Sequence, residues 1–369
     1  MSWTLSRYIG GRFLGLVLSA FAVVFALIVM INAIELLRRS SGAEIGFGAI
    51  LGMAALQAPA IALTASPFVT LLASLACFAR LARSSELVVT RAAGVSAWAL
   101  VAAPLALAVG LGALSTVALN PLAAFSAERF ATLEARWFSG RESPLSVSRE
   151  GLWLRDGGPQ GQVVIHARAA NPQATRLDGV TFHLFGREDV LTGRIDAESA
   201  ELGDGAWALR RGVRHVIDPD AEGLDVVRAE PFEEMRAPTE LTSAQILDSF
   251  APPEQVSVWA LPAFIRTLEA SGFSAQRHRT QWHGQLAAPL LFAAMALIGA
   301  AFSMRHARLG GLGGMALAAA VTGLGFYFLS DLAKALAASG AIPAVLGAWG
   351  PPAAAALFAA ALVLHLEDG

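Results

Sequence analysis

Cysteine and lysine are almost absent from this chain of 369 residues, and each scarcity excludes a class of site. Cys77 is the only cysteine, so an internal disulfide and a metal site built from several cysteines are both excluded. Lys334 is the single lysine among 27 basic residues, and it does not belong to a G-x-x-x-x-G-K-[ST] phosphate loop. The chain therefore cannot hydrolyse ATP by that route.

Charged residues are also scarce, and they are unevenly distributed. They make up 15% of the chain, whereas soluble domains carry about 25%. Of the 56 charged residues, 40 lie between residues 120 and 282. The net charge is −2 and no long basic run occurs, which argues against a nucleic-acid partner. The sequence thus joins two apolar ends to a polar central segment.

The apolar ends contain six runs that are candidates for membrane-spanning helices. The first has 22 residues without a charge, more than the roughly 18 that indicate a spanning helix. The runs cover residues 13–34, 56–79, 92–119, 286–304, 312–330 and a shorter 352–364. Three runs precede the polar segment and three follow it. We therefore expect a 3+3 arrangement of six transmembrane helices with a domain inserted between the two halves.

The arginines between these runs predict the orientation of the chain, because positively charged loops stay on the cytoplasmic side. The clusters are Arg7 and Arg12, then Arg80, Arg83 and Arg91, then Arg305 and Arg308. All three clusters share one side of the membrane if both termini are cytoplasmic. The large insert, which has more acids than arginines, then lies outside.

Arg38 and Arg39 are the exception, because they follow the first run on the exterior side. One interpretation is that their guanidinium groups anchor the helix in the lipid headgroup layer. The other is that they bind an anion such as a phosphate group, which arginine can contact with two parallel hydrogen bonds. The sequence leaves both interpretations open.

The polar segment has the pattern of an all-β domain. Between residues 145 and 235, apolar and polar residues alternate with a period of two, and Val163, Ile165 and Ala167 share one face. Asp178-Gly179 and residues 203–205 are typical of tight turns. We expect a sandwich or jelly roll, followed by a helical segment within 252–272 that leads back to the fourth span.

The polar segment contains no recognisable catalytic or metal-binding motif. The chain has no H-E-x-x-H pair, no G-x-S-x-G turn and no S-x-x-K sequence. We therefore expect no metal site, no cofactor and no enzymatic activity of its own.

The loop between the second and third spans carries the most informative pattern. Ser84 or Ser85 can cap a short helix, and Glu86 falls in its first turn, where the helix dipole favours an acid. Gly94 suits a tight turn into the next span. An amphipathic helix over about 84–94 is either a docking surface for a cytoplasmic partner or an ordinary interfacial helix.

Asp331 and Lys334 give the fifth span two opposite charges, three residues apart on one helical face. They form an intramembrane ion pair if they lie within the lipid, where charged residues usually have a function. The alternative is that both lie at the outer interface of the membrane.

The loop sequence S-S-E-L-V-V-T-R-A-A-G-V-S resembles the pattern S-E-h-h-h-h-R-A-A-G-h-S of the lipopolysaccharide-export permeases of the LptF/LptG type. The similarity extends over the whole chain, with L-S-R-Y-I-G-G-R-F near the start, A-P-L at 288–290 and F-S-M-R at 302–305. The sequence G-L-W-L-R-D, which begins at Gly151, looks more like the LptG type than its sister type.

The resemblance implies an α-helical polytopic membrane protein with an inserted periplasmic β-jelly-roll-like domain, divided at 1–119, 120–282 and 283–369. It implies a permease subunit of an ABC-type exporter in the bacterial inner membrane. Such an exporter extracts lipopolysaccharide from that membrane and passes it to a periplasmic bridge. The implied partners are lipopolysaccharide, a sister permease of the LptF type, an ATPase dimer of the LptB type, and single-span LptC and periplasmic LptA type proteins.

The resemblance also implies roles for particular residues. The ATPase would bind the short helix of the cytoplasmic loop, called the coupling helix, at Ser85, Glu86, Leu87, Arg91 and Gly94. Arg38 and Arg39 fall near the place where family members hold basic residues against lipid phosphates. The first and fifth spans would border a lateral gate, and the interior of the jelly roll would shelter acyl chains.

A second class of function is compatible with the residues themselves. The chain could be a membrane-anchored sensor or assembly scaffold whose periplasmic domain binds a ligand without transporting it. Co-purification distinguishes the two classes, because only the exporter requires a cytoplasmic ATPase in fixed stoichiometry.

Overall fold

The computed structural model of the chain describes residues 3–40, 46–134, 137, 145–148, 151–158, 161–171, 175–186, 190–203, 205–217, 227–239, 241–242, 246, 252–270, 274–304 and 312–368. The chain divides into two compact units. The helical unit comprises Met1–Leu133, Glu254–Trp259 and Gln276–Gly369. The β unit comprises Glu134–Pro253 and Ala260–Ala275.

The helices of the described residues are α1 (Trp3–Arg39), α2 (Phe47–Arg83), α3 (Glu86–Ala92), α4 (Ala97–Leu114), α5 (Asn120–Glu134), α6 (Leu261–Ala270), α7 (Gln276–Met304), α8 (Leu312–Ala338) and α9 (Ala344–Asp368). A π-helical segment, Ser115–Leu119, joins α4 to α5. A short 3₁₀ turn, Pro253–Gln255, precedes α6, so the predicted helical return is only partly helical.

Six helical stretches among the described residues are long and apolar enough to cross a membrane, which agrees with the six predicted spans. They are Trp3–Arg39, Phe47–Arg83, Ala97–Glu134, Gln276–Met304, Ala316–Ala338 and Ala344–His365. In chain order, three of them come before the strands of the β unit and three come after.

The helices extend beyond the apolar runs that predicted them. The third span continues from Ala97 to Glu134, and the fourth begins at Gln276. The predicted domain boundaries, at 119/120 and 282/283, therefore lie inside helices. The division of the chain into domains at these positions stays a prediction. A hydropathy pattern reports where lipid-compatible composition ends, whereas good helix formers such as Ala, Leu and Glu in α5 continue the helix past that point.

Small residues bring α7 into close contact with α2 in the core of the helical unit. A Cβ atom placed on Gly299 would lie 2.6 Å from the carbonyl oxygen of Leu71, so no side chain fits there. The Ser74 hydroxyl donates to the carbonyl oxygen of Ala296 at 2.6 Å, and the Ser303 hydroxyl donates to that of Leu75 at 3.1 Å. Close backbone approach with interhelical hydrogen bonds is how membrane helices associate in the absence of a hydrophobic driving force.

The β unit contains one antiparallel sheet of seven described strands, in the order in which they follow along the chain. The strands are β1 (Leu145–Ser148), β2 (Gly151–Gly158), β3 (Gly161–Ala170), β4 (Arg176–Phe185), β5 (Leu191–Gly203), β6 (Ala206–Ile217) and β7 (Val227–Pro238). The predicted turn at 203–205 is confirmed, because β5 ends at Gly203 and β6 begins at Ala206.

One face of this sheet is apolar and curls around its own interior. Leu154, Ile165, Phe182 and Ile195 are cross-strand neighbours from β2 to β5, and all four are buried. Asp156 of β2 accepts a hydrogen bond from the hydroxyl of Thr239, which directly follows β7, and both side chains are buried. Since β2 and β7 are not neighbours in the sheet, this bond holds the two sides of the sheet together.

The order of the strands differs from that of a jelly roll. Sequential neighbours form a meander, and the described strands do not include the Greek-key crossovers that define a jelly roll. What remains of the expectation is a curled antiparallel sheet with an apolar interior.

The turn predicted at Asp178-Gly179 is wrong, because both residues lie inside β4. Gly179 has a φ of 62°, and buried positions shift there from Leu177 to Val180, so the strand kinks without ending. The kink is possible because the ladder to β5 is made on both sides of it, by Leu177 with Ala200 and by Val180 with Ala197.

Candidate functional site

The predicted coupling helix is present as α3, one short helix that joins the ends of α2 and α4. Ser85 is its N-cap residue and has a φ of 59°, but its side chain does not bond to the helix. The predicted position of the cap is therefore confirmed, but the hydrogen bond from the serine side chain is absent. The Ser84 hydroxyl instead donates to Glu86 Oε1 at 2.8 Å, because Ser84 is the C-cap residue of α2 and lies two residues before Glu86.

The C-terminus of α3 has the predicted tight turn. Gly94 has a φ of 83°, a left-handed conformation that glycine adopts without a steric penalty. The Gly94 amide donates to the carbonyl oxygen of Arg91 at 2.9 Å, and the Val95 amide donates to that of Thr90 at 3.3 Å. This pair of bonds is the Schellman motif, which ends the helix and redirects the chain into α4.

Glu86 connects α3 to α1. Arg12 Nη1 lies 3.3 Å from Glu86 Oε1, and the Tyr8 hydroxyl also hydrogen-bonds to this carboxylate. The Arg12 guanidinium lies over the Tyr8 ring, 4.9 Å from its centroid. Hydrogen bonds from Ser84 and then Tyr8 lower the pKa of Glu86, so the carboxylate stays ionised at neutral pH.

The two sides of α3 differ in exposure. Leu87 is buried against the hydrophobic core of the helical unit. Val88 and Val89 are 62% and 67% exposed. Glu86 is therefore held by α1, while two neighbouring apolar side chains remain accessible at the surface of this unit.

A cavity of about 640 Å³ lies in the β unit, against the apolar face of the curled sheet. Its apolar lining comes from β3 to β7 and includes Val163, Ile165, Phe182, Leu184, Ile195, Trp207 and Met235. Asp156, Arg214, His215 and Arg236 add polar groups to the lining. The volume lies in the range of ligand cavities, and an apolar wall with a few polar groups is their usual composition.

Arg38 and Arg39 lie in the last turn of α1 and contact an acid of their own helix. Arg38 Nη2 is 3.0 Å and Arg39 Nε is 3.2 Å from Glu35 Oε1. Their side chains are nevertheless 78% and 54% exposed, so both can also reach a ligand.

Asp331 and Lys334 differ in their surroundings on α8. Asp331 is exposed, whereas Lys334 is half-buried, and its Cε would lie 3.6 Å from a Cβ placed on Gly284 of α7. The ion pairs found among the described residues do not include one between these two side chains. Their intramembrane ion pair stays a prediction.

Comparison with known proteins decides the family. Residues 7–365 match the family "Lipopolysaccharide export system permease LptF/LptG". The chain belongs to this family. LptG of Haemophilus influenzae is 24% identical over 348 residues, which cover 94% of each chain. LptG of Escherichia coli K12 is 24% identical over 359 residues, which cover 95% of this chain and 94% of the relative.

Membership of the LptF/LptG family, together with the six apolar helices, indicates a multi-pass inner-membrane protein. Its relatives are permeases of a lipopolysaccharide export system, so the chain is a transport protein rather than a catalytic enzyme. Among the residues that the structure describes, no group of histidine, cysteine and acidic side chains could hold a metal ion.

Three residues of this permease acquire a candidate role only in the structure. Tyr8 and Arg12 contact Glu86 from a different helix, and the sequence analysis used Arg12 for orientation alone. Trp207 lies on the cavity wall, and its place there depends on the pairing of β6 with β5 and β7. An invariant pairing of Arg12 with Glu86 across related sequences is the signal that could have revealed the first contact.

Proposed function

We propose that this chain is the G-type permease subunit of an ABC-type exporter that extracts lipopolysaccharide from the inner membrane and passes it to a periplasmic bridge. The match to LptG relatives over nearly the whole chain supports the G type. The absence of a lysine-containing phosphate loop supports a separate ATPase, of the LptB type, as the source of energy. A sister permease of the LptF type completes the membrane part.

The exposed side of α3 is the observation that carries the proposal. Val88 and Val89 form a small apolar surface on a helix whose orientation is fixed by the Arg12–Glu86 contact. In this proposal the ATPase dimer binds α3 at residues 85–94 and moves it during its cycle. Because Glu86 is bound to Arg12 and Tyr8, movement of α3 is passed to α1.

The lipid path in the proposal starts at the outer end of α1. Arg38 and Arg39 contact lipid phosphates there, and α1 and α8 border a lateral gate. Acyl chains then pass through the interior of the curled sheet of the β unit, whose cavity has an apolar wall suited to hydrocarbon. Both termini are cytoplasmic, and the β unit is periplasmic, where it meets LptC and LptA type proteins.

The test is co-purification of the ATPase with this permease from an inner-membrane extract. Glu86→Arg places two guanidinium groups against each other at the Arg12 contact, so α3 loses its orientation and the ATPase is lost. Glu254→Arg is the control, because Glu254 is an exposed acid of the same unit that lies outside α3. Retention of the ATPase by Glu86→Arg contradicts the coupling role of α3.

The sensor or scaffold function makes a different prediction in the same experiment. The cavity of the β unit is compatible with a ligand-binding domain that has no transport role. In that case the unsubstituted chain co-purifies with no ATPase in fixed stoichiometry.

A further inference from the structure

The end of α4 is irregular, and a proline contributes to this. The helix widens there into the π-helical segment Ser115–Leu119, where the Asn120 amide donates to the carbonyl oxygen of Ser115. In a regular helix the carbonyl oxygen of Val117 would accept from the amide of residue 121, but Pro121 has no N–H. The Trp259 indole Nε1 donates to this oxygen at 3.2 Å. A side chain 142 residues further along the chain thus supplies the bond that the proline cannot make.

A second proline has the same effect on α7. Pro289 lies inside this helix, so its missing N–H leaves the carbonyl oxygen of Gln285 without its helical donor. The Thr116 hydroxyl of the π-helical segment donates to that oxygen at 2.7 Å. Sharp bends in helices occur mainly at prolines and at π turns. A hydrogen bond therefore joins α4 and α7 at the place where each of them can bend.

The backbones of α4 and α7 are in contact beside this bond. A Cβ atom placed on Gly112 would lie 2.5 Å from Pro289 Cα, so a side chain does not fit between the two helices. At a rise of 1.5 Å per residue, Gly112 lies about 22 Å along the helix from Ala97 and about 12 Å from Asn120. The contact thus divides the helix into a long arm that begins next to α3 and a short arm that ends at Asn120.

Asn120 holds a short segment of the chain against the end of the short arm. This segment, Glu254–Trp259, is called the return segment; it belongs to the helical unit, whereas the residues on either side of it belong to the β unit. The Val258 amide donates to Asn120 Oδ1 at 2.9 Å, and both side chains are buried. A buried amide that loses its acceptor is costly, so this bond fixes the return segment to α4.

We propose that α4 turns about the Gly112–Pro289 contact during transport, and that Asn120 is the positioning residue that makes the return segment follow. This inference rests on the proposed function, in which the ATPase moves α3. Because α4 begins at Ala97, directly after the turn that ends α3, movement of α3 displaces the long arm. The short arm then carries the return segment, and with it the chain that leads into the β unit.

The experiment measures two activities of the complete exporter in nanodiscs, namely ATP hydrolysis and transfer of lipopolysaccharide to a purified LptA type protein. Asn120→Leu removes the acceptor at similar volume. ATPase retention and the rate of hydrolysis should be unchanged, because α3 is intact. The amount of lipopolysaccharide transferred per ATP should fall about threefold to tenfold, the range of one net hydrogen bond. Asn120→Asp keeps the acceptor oxygen and should restore the ratio.

Trp259→Phe provides a second variant at a position where folding is not at risk. Trp259 is 65% exposed, and phenylalanine keeps an aromatic ring without the N–H that reaches Val117. The ratio of transfer to hydrolysis should fall in the same direction as in Asn120→Leu. Trp3→Phe is the matched control, because Trp3 is 80% exposed at the start of α1 and lies far along the chain from this bond. It should keep the wild-type ratio.

The outcomes separate this inference from the proposed function. A wild-type ratio in Trp259→Phe and in folded Asn120→Leu overturns the inference. A loss in Asn120→Leu that Asn120→Asp does not restore, with a wild-type ratio in Trp259→Phe, assigns Asn120 a packing role and overturns it as well. If Asn120→Leu does not fold, the ratio in Trp259→Phe decides. A wild-type exporter that hydrolyses ATP without transferring lipopolysaccharide contradicts the proposed function instead.

Discussion

The two compact units of this export permease use their interiors in opposite ways. In the helical unit, α7 meets α2 so closely at Gly299 that even a methyl group is excluded. In the β unit, large apolar side chains on a curled sheet leave a cavity of about 640 Å³. Close packing in the helical unit therefore depends on the absence of a side chain at Gly299. The β unit instead has side chains that surround an open cavity.

Adding a side chain at Gly299 should cause the largest loss of stability among the substitutions that test this difference between the units. In Gly299→Val, the new side chain overlaps the α2 backbone near Leu71, and overpacking of this kind costs about 3 kcal/mol or more. Gly110→Val is the control, because a Cβ on Gly110 meets nothing within 4 Å. Thermal unfolding in detergent should show a large decrease in melting temperature for Gly299→Val and none for Gly110→Val. Equal melting temperatures of the two variants would show that α2 and α7 can separate without penalty.

Opening the curled sheet should have an intermediate effect. Thr239→Val keeps the shape of the side chain but leaves the buried Asp156 without its donor, which costs about 1–3 kcal/mol. Thr192→Val removes an exposed threonine hydroxyl from the same sheet and serves as the control. Urea unfolding followed by tryptophan fluorescence measures both. If the two variants are equally stable, the Asp156–Thr239 bond does not hold the sheet closed.

The smallest effect on stability is expected at the surface of the helical unit, where Arg12 meets Glu86. Both side chains are partly exposed, so Arg12→Glu and Glu86→Arg should leave the melting temperature unchanged. Each should weaken retention of the ATPase, and the double exchange should restore it by re-forming the pair with reversed charges. A double variant no better than either single one would assign Glu86 a direct contact with the ATPase and remove the positioning role of Arg12.

The sequence predicted the elements of both units better than their boundaries. Charge-free runs indicated six spans because lipid requires about 20 apolar residues in succession, and this requirement acts locally along the chain. Period-two alternation indicated strands for the same local reason, as Val163, Ile165 and Ala167 show. The helices extend beyond these runs because α5 and the first part of α7 are helical without being apolar.

Short turn motifs predicted the structure less reliably than the apolar runs and the alternating patterns did. Gly94 ends α3 as predicted, because a positive φ at a helix end is a property of a few residues. Asp178-Gly179 has an equally strong turn pattern but lies within β4, since the neighbouring strands supply hydrogen-bond partners on both sides of the kink. A two-residue motif carries no information about the hydrogen-bond partners that neighbouring strands provide.

The sequence alone determined that this chain has six membrane-compatible helices, an antiparallel β segment, no phosphate loop and a short helix around Glu86, since each depends on composition or spacing along the chain. Only the tertiary structure decided that Glu86 is held by Arg12, 74 residues away, and that Asp156 meets Thr239 across the sheet. It also decided that the curled sheet of the β unit leaves a cavity lined by residues from several strands. These features arise from contacts between distant segments, which no local pattern encodes.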